Sequence, residues 1–278
     1  MAGTTLLAGD MGGTKTLLAL YGLNNGRLTT LHQEKFKSSE WSSLEPMLQA
    51  FISQRPAEIP APDHGCIAVA GPVRNRTAKI TNLPWQLKEE DLAAAASMRK
   101  LELVNDFGVL IYGLPHFDAD QQVVLQEGRQ DQGPVAILGA GTGLGMARGI
   151  RTNGGLLSLS CEGGHREFAA RTEEEWQLAC WLKRDLGVER LSVERIVSGT
   201  GLGHVAHWLL NQPHAQNHPL QQMATSWRND TASDFPAQVS RAASEGDDLM
   251  QHGQQLWLSA YGAAAGDVAL QELCSGGL

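Results

Sequence analysis

The chain has 278 residues, of which 42% are hydrophobic and 19% charged, and it carries a formal net charge of −8. That length fits one large or two ordinary domains with a full core, and the charge argues against nucleic acid or an acidic membrane surface as partner. No apolar stretch approaches the ~20 residues of a membrane helix, residues 1–4 lack a basic signal-peptide region, and the scattered Cys66, Cys161, Cys180 and Cys274 read as thiols of a reducing cytoplasm, not as a zinc or disulfide framework.

Residues 5–21 predict a hairpin: strand Thr5–Ala8, a glycine turn Gly9-Asp10-Met11-Gly12-Gly13-Thr14-Lys15-Thr16, and strand Leu17–Tyr21. A third strand is expected near Leu28–Phe36. Ser42-Ser43-Leu44-Glu45 reads as a capping box opening a helix, on which Leu44, Met47, Leu48, Phe51 and Ile52 recur at helical spacing. Cys66–Ala70 predicts a buried strand ending in Gly71-Pro72. Ala78–Thr81 leads into a loop, Asn82-Leu83-Pro84-Trp85. A helix over Leu87–Met98 and a strand over Leu101–Val104, ending at Asn105-Asp106, complete this half. A second α/β set follows: strand Val123–Gln126, then strand Pro134–Leu138, the turn Gly139-Ala140-Gly141-Thr142-Gly143-Leu144-Gly145, and strand Met146–Ile150. Thr172-Glu173-Glu174-Glu175 caps a helix running to Leu186, Asn211–Leu220 is a polar surface loop, and helices cover Ala237–Glu245 and Asp248–Cys274. Such alternation implies an α/β protein with a mainly parallel or mixed sheet in each half, and the recurring strand–glycine turn–strand suggests that the halves are versions of one unit.

Glycine lets backbone N–H groups converge on an anion without an intervening Cβ. The two turns therefore suggest a phosphate tail gripped by two related domains, with Asp10 placed to hold a phosphate-bound Mg²⁺ through water. Neither turn is a P-loop or a dinucleotide fingerprint. After Gly9 the expected Gly-Lys-Ser/Thr is replaced by Thr14-Lys15-Thr16, and from Gly139 or Gly141 the third glycine position falls on Leu144 or Met146. Tight hairpins without a ligand remain the plain alternative.

Asp106 follows a strand end, where α/β folds gather ligands, and could accept a proton from a hydroxyl attacking phosphorus; equally it could cap the helix that begins at Phe107. In Cys161-Glu162-Gly163-Gly164-His165, Glu162 and His165 can point into one pocket and hydrogen-bond sugar hydroxyls; a metal site lacks further ligands at matching spacing. Glu194 taken alone reads as a solvated helix residue, His204 and His207 as packing or surface residues, and Ser198-Gly199-Thr200-Gly201 as a helix start more than a ligand loop.

Gly-Asp-x-Gly-Gly-Thr, Leu-Val-Asn-Asp-Phe, Gly-Ala-Gly-Thr-Gly-Leu-Gly and Glu-Gly-Gly-His, in that order, together with Asn82-Leu83-Pro84-Trp85 and Glu194-Arg195-Ile196-Val197-Ser198-Gly199, resemble the bacterial-type ATP-dependent glucokinases over essentially the whole chain. The resemblance implies two actin-like (ribonuclease-H-like) α/β domains flanking a cleft, residues 1–112 and 113–278, with ATP and Mg²⁺ as cofactors. It implies Asp106 as the base for the glucose 6-hydroxyl, with Asn105, Glu162, His165 and Glu194 on the remaining hydroxyls. Gly9, Gly12, Gly13, Thr14, Lys15, Gly139, Gly141, Thr142 and Gly143 would cradle the phosphates, Asp10 would help hold Mg²⁺, and a closing cleft would exclude water. It leaves a homodimer open and implies glucose and ATP as partners in the cytoplasm. The zinc-binding Cys cluster of related sugar kinases and repressors is absent, and no residues precede the first strand to build a helix-turn-helix, which disfavours a DNA-binding repressor. The family pattern continues beyond the last helix into a further strand, a Gly-Gly turn and a closing helix, whereas this sequence stops at Ser275-Gly276-Gly277-Leu278. A non-catalytic sugar-binding remnant, or a kinase for a related hexose, is therefore the alternative.

Overall fold

The structure, a computed structural model, describes residues 4–80, 83–129, 131–229 and 234–278. Thr81 and Asn82, at the start of the expected Asn-Leu-Pro-Trp loop, lie outside the described residues. The fold is α/β, and the chain divides into two compact units, Met1–His116 and Phe117–Leu278.

In the first unit, strands β1 (Thr4–Met11), β2 (Lys15–Asn24) and β3 (Arg27–Lys37) form an antiparallel meander, and β4 (His64–Val69) and β8 (Lys100–Asn105) add to β1 in parallel, giving the order β3-β2-β1-β4-β8. This is the mixed sheet that the alternation of apolar runs and helices predicts. Helix α1 (Leu44–Gln54) buries Leu44, Met47, Leu48 and Phe51 of the stripe expected at helical spacing, with Ile52 half-buried against the same core. Its N-cap is Ser43, whose side chain makes no capping hydrogen bond, so the expected capping box is not formed.

Between β4 and β8 lies a small antiparallel sheet of β5 (Val73–Arg74), β6 (Thr77–Lys79) and β7 (Gln86–Lys88), followed by helix α2 (Glu89–Ala95). The expected helix over Leu87–Met98 is thus shortened at both ends. Leu87 is buried as a strand residue on β7, and Ser97 at φ 52 stops the helix through hydrogen bonds from Met98 N to Ala93 O and from Ser97 N to Ala94 O. That 6→1 and 5→2 pair is a Schellman ending, here with serine in the position that glycine usually takes. Helix α3 (Asp106–Gly113) closes the unit.

In the second unit, β9 (Val135–Ala140), β10 (Leu144–Thr152) and β11 (Gly155–Cys161) form an antiparallel meander in the order β11-β10-β9. The expectation of a mainly parallel or mixed sheet fails here among the described residues: the parallel component reduces to one bridge, Val135 with Gly277, supported by Ala136 N donating to Gly277 O at 3.0 Å. Farther along the same edge, the Tyr261 hydroxyl donates to Leu138 O and accepts from Ala140 N, each at 3.3 Å. The expected strand Val123–Gln126 is also absent. Val123, Val124 and Leu125 are 85%, 67% and 95% exposed, and among the described residues no strand takes their backbone groups.

Helix α4 (Glu173–Leu186) starts as expected, with Thr172 Oγ1 accepting from Glu175 N at 3.1 Å, and ends at Gly187 in the left-handed region (φ 65). Helix α5 (Gly199–Leu210) is the buried centre of the unit. It is flanked by α6 (Gln221–Arg228), α7 (Phe235–Ser244) and the long α8 (Asp248–Glu272). Within the polar stretch Asn211–Leu220, Ala215 is buried beneath a short 3₁₀ turn, Pro213–Ala215.

Candidate active site

In the first unit the glycine turn between β1 and β2 is closed by Gly12 N donating to Lys15 O at 2.9 Å. Ser38, just past β3, braces it: Ser38 N donates to Thr14 O at 3.0 Å and Ser38 Oγ to Gly12 O at 3.0 Å, while the buried Ser38 and Thr16 hydroxyls lie 3.0 Å apart. Sequence reasoning passed over Ser38, because no motif or spacing ties it to a turn more than 20 residues earlier in the chain. With the turn so held, no acceptor among the described residues is taken by Gly13 N or Thr14 N. Gly9 lies within β1, where a Cβ would come 3.0 Å from Ile67, so packing alone accounts for this glycine. Asp10 is exposed at the same strand end, and Lys15 opens β2 opposite Lys37.

Asn105 and Asp106 meet at the end of β8. Asn105, not Asp106, is the N-cap of α3: its Oδ1 accepts from Phe107 N at 3.1 Å and Gly108 N at 2.9 Å. Its amide hydrogens go to Gly71 O (3.1 Å) and Asp106 Oδ1 (3.0 Å). Asn105 is therefore saturated, and its visible work is to orient Asp106. Asp106 Oδ1 also accepts from Phe107 N at 2.9 Å, whereas among the described residues no other residue donates to Oδ2. Burial raises the Asp106 carboxyl above its ordinary value against the lowering effect of these hydrogen bonds, and the nearby Asp10 charge adds to the rise. A half-buried carboxylate with one fixed and one open oxygen is equipped to receive a proton.

In the second unit the turn between β9 and β10 repeats the pattern. Gly141 N donates to Gly143 O at 2.9 Å, and no acceptor among the described residues is taken by Thr142 N or Gly143 N. Gly139 lies inside β9, paired with Gly145. Glu194, on a 3₁₀ turn (Val193–Arg195), is no solvated helix residue as its surroundings in sequence suggested: its Oε2 accepts from Leu144 N at 2.9 Å. Ser198-Gly199-Thr200-Gly201 is a helix start, Ser198 Oγ accepting from Gly201 N at 2.9 Å. It also braces the turn, with Gly199 N on Gly141 O at 2.8 Å and Thr200 Oγ1 on Thr142 O at 3.0 Å.

Glu162 precedes and His165 ends a 3₁₀ turn (Gly163–His165), with Glu162 Oε2 3.8 Å from His165 Nε2 and both side chains 61% exposed. Two open polar groups on one short turn suit bidentate contact with adjacent hydroxyls. Gly164 is required, since a Cβ there would collide with the Leu144 carbonyl oxygen. His204 and His207 are buried on α5 against Trp227 and Trp181, and burial lowers both below the ordinary histidine value, so they are packing residues. Among the described residues no three His, Cys, Asp or Glu side chains cluster as metal ligands, and no helix is long and apolar enough to cross a membrane.

The glucokinase family profile matches residues 7–278. A glucokinase of Nostoc sp. is 40% identical over 285 aligned positions, covering 99% of this chain and 83% of that protein. A Synechocystis glucokinase is 37% identical, covering 99% of this chain and 82% of that protein. The crystal structure of a glucokinase from an Antarctic psychrotroph superposes with a TM-score of 0.76 at 29% identity, covering 99% of this chain and 81% of that one. By sequence and by fold, the chain belongs to the glucokinase family.

Proposed function

We propose that this protein transfers the γ-phosphoryl group of Mg-ATP to the 6-hydroxyl of glucose, giving glucose 6-phosphate and ADP. The observation that carries the reading is the repeated turn: each of two glycine hairpins is closed by its own backbone and held by neighbouring side chains, leaving two successive N–H groups without an acceptor among the described residues, at Gly13 and Thr14 and at Thr142 and Gly143. Such paired amides suit phosphate oxygens.

In this reading Asp106 Oδ2 takes the proton of the 6-hydroxyl as its oxygen bonds to phosphorus and the bond to the β-phosphate oxygen breaks. Asn105 and Phe107 N hold Oδ1 and so aim Oδ2. Glu162, His165 and Glu194 take the other hydroxyls, which fixes the acceptor in line; phosphoryl transfer needs mostly positioning and charge neutralisation. The donor set fits Mg²⁺ held chiefly by nucleotide phosphates: Asp10 is exposed, and among the described residues no hydrogen bond or ion pair ties its carboxylate and no all-protein cage surrounds it. When bound, that ion neutralises phosphate charge. The protein acts in a reducing cytoplasm, where its four cysteines stay thiols.

The test is coupled ADP release from Mg-ATP with and without glucose, repeated with mannose, glucosamine and N-acetylated hexoses. Glucose-dependent turnover above the other sugars is the expected result. Absence of turnover from folded, glucose-binding protein would overturn it in favour of a non-catalytic sugar-binding protein, and preference for another hexose would reassign the substrate.

A further inference from the structure

The Glu194 carboxylate and the second glycine turn form one hydrogen-bonded assembly. Glu194 Oε2 accepts from the N–H of Leu144, the first residue after the turn, and occupies the space that a side chain on Gly143 would need. The carbonyl of the same Leu144 faces the backbone of Gly164, in the turn that carries Glu162 and His165, so closely that no Cβ fits. Leu144 thus donates its N–H to one proposed sugar ligand and packs its C=O against the turn that bears the other two.

The residues after Glu194 extend the grip. Ser198 Oγ donates to Glu194 O at 2.7 Å, and Gly199 and Thr200 hold the carbonyls of Gly141 and Thr142. Every carbonyl of Gly141–Gly143 therefore has a protein partner, and the unpartnered N–H groups point where that bracing puts them.

We infer that Glu194 positions the phosphate-binding turn, so that sugar occupancy and nucleotide occupancy are coupled inside the C-terminal unit through the Glu194–Leu144 hydrogen bond. The inference rests on the proposed role of Glu194 as a sugar ligand. Glu194 Oε1 takes no hydrogen bond among the described residues, so a single bond through Oε2 orients the carboxylate. A sugar hydroxyl donating to Oε1 fixes the carboxylate plane, hence Leu144 N, hence the turn. Linkage then requires an anion on the turn to raise sugar affinity by the same factor.

The experiment is calorimetric titration of the whole chain with glucose and with Mg-AMPPNP, each alone and in the presence of the other, for the unmodified protein and for Gly143→Ala, Glu194→Ala and Glu194→Gln. In the unmodified protein each ligand should tighten the other by the same factor, about fivefold or more. Gly143→Ala lies in the phosphate turn, yet it should weaken glucose binding measured without nucleotide about tenfold, the effect of one displaced hydrogen-bonding carboxylate. Glu194→Ala should weaken nucleotide binding measured without sugar about threefold to tenfold, and Glu194→Gln, whose amide oxygen still accepts from Leu144 N, should restore it. Unchanged glucose affinity in folded Gly143→Ala, or unchanged sugar-free nucleotide affinity in Glu194→Ala, would overturn the coupling and leave the kinase reading standing. Failure of the unmodified protein to bind glucose would instead overturn the kinase reading itself.

Discussion

Asp106→Asn separates proton acceptance from every other task of this side chain. In the structure Oδ1 is the committed oxygen, bonded by Asn105 Nδ2 and Phe107 N, and Oδ2 is the open one. An asparagine keeps an oxygen for both donors and replaces the open oxygen with an amide that cannot take a proton. Fold and glucose affinity should therefore persist, while kcat falls about 10²–10⁴-fold, the usual weight of a general base, or about 2.7–5.4 kcal/mol in the barrier. Coupled ADP release at saturating glucose and ATP measures kcat, and calorimetry measures the glucose affinity. The pH dependence adds a second arm. The carboxyl is raised, chiefly by burial, so the folded protein holds this proton more tightly than the unfolded chain, and ionisation disfavours the fold as pH rises. Asp106→Asn escapes that effect. It should melt higher than the parent at pH 8, and the difference should shrink as pH falls toward the ordinary aspartate range. In the parent, kcat/KM should drop as pH falls through the raised value. A variant whose kcat stays within threefold of the parent, or which melts lower at pH 8 and equally at low pH, would refute the reasoning.

Four further substitutions probe the contacts around the turns. Ser38→Ala strips a fully buried hydroxyl from Thr16 Oγ1 and Gly12 O and should lower stability by about 1–3 kcal/mol in urea titration, with a raised KM for ATP and little change in the KM for glucose. Gly164→Ala meets a backbone oxygen that cannot swing aside, so it should raise the KM for glucose tenfold or more; Gly141→Ala has open space around its Cβ position and should melt like the parent while raising the KM for ATP. Tyr261→Phe leaves Leu138 O and Ala140 N without their shared hydroxyl and should cost about 1 kcal/mol by denaturant titration; no loss would show that water replaces it.

What could be read from the residues follows the range of the forces involved. The hairpin around Asp10, the buried stripe of α1 and the Thr172 cap of α4 are local patterns, and each is present in the structure. The failures are cases where a distant partner decides. Val123–Gln126 has strand composition, but among the described residues no strand receives its backbone. Leu87 fits a helical pattern, yet pairing with β6 draws it into a strand. The parallel content expected of the second sheet depends on chain segments brought beside β9, and there a single bridge at Gly277 and the Tyr261 hydroxyl meet its edge.

The site divides along the same line. Glycine turns announce themselves because the demand for N–H access and a missing Cβ is written in consecutive residues; what makes such a turn a receptor is not. Gly13 and Thr14, and Thr142 and Gly143, keep their N–H groups available while other groups hold the turns: Ser38 on one, Glu194, Gly199 and Thr200 on the other. Glu194 illustrates the cost of reading locally. In sequence it reads as a solvated helix residue; in space its carboxylate accepts from the peptide that ends the second glycine turn. Preorganisation of this kind resists legibility, since it is made of contacts between residues about 25 to 60 positions apart. It also makes each assignment testable, because altering a bracing residue outside the turn must change how the turn receives its ligand.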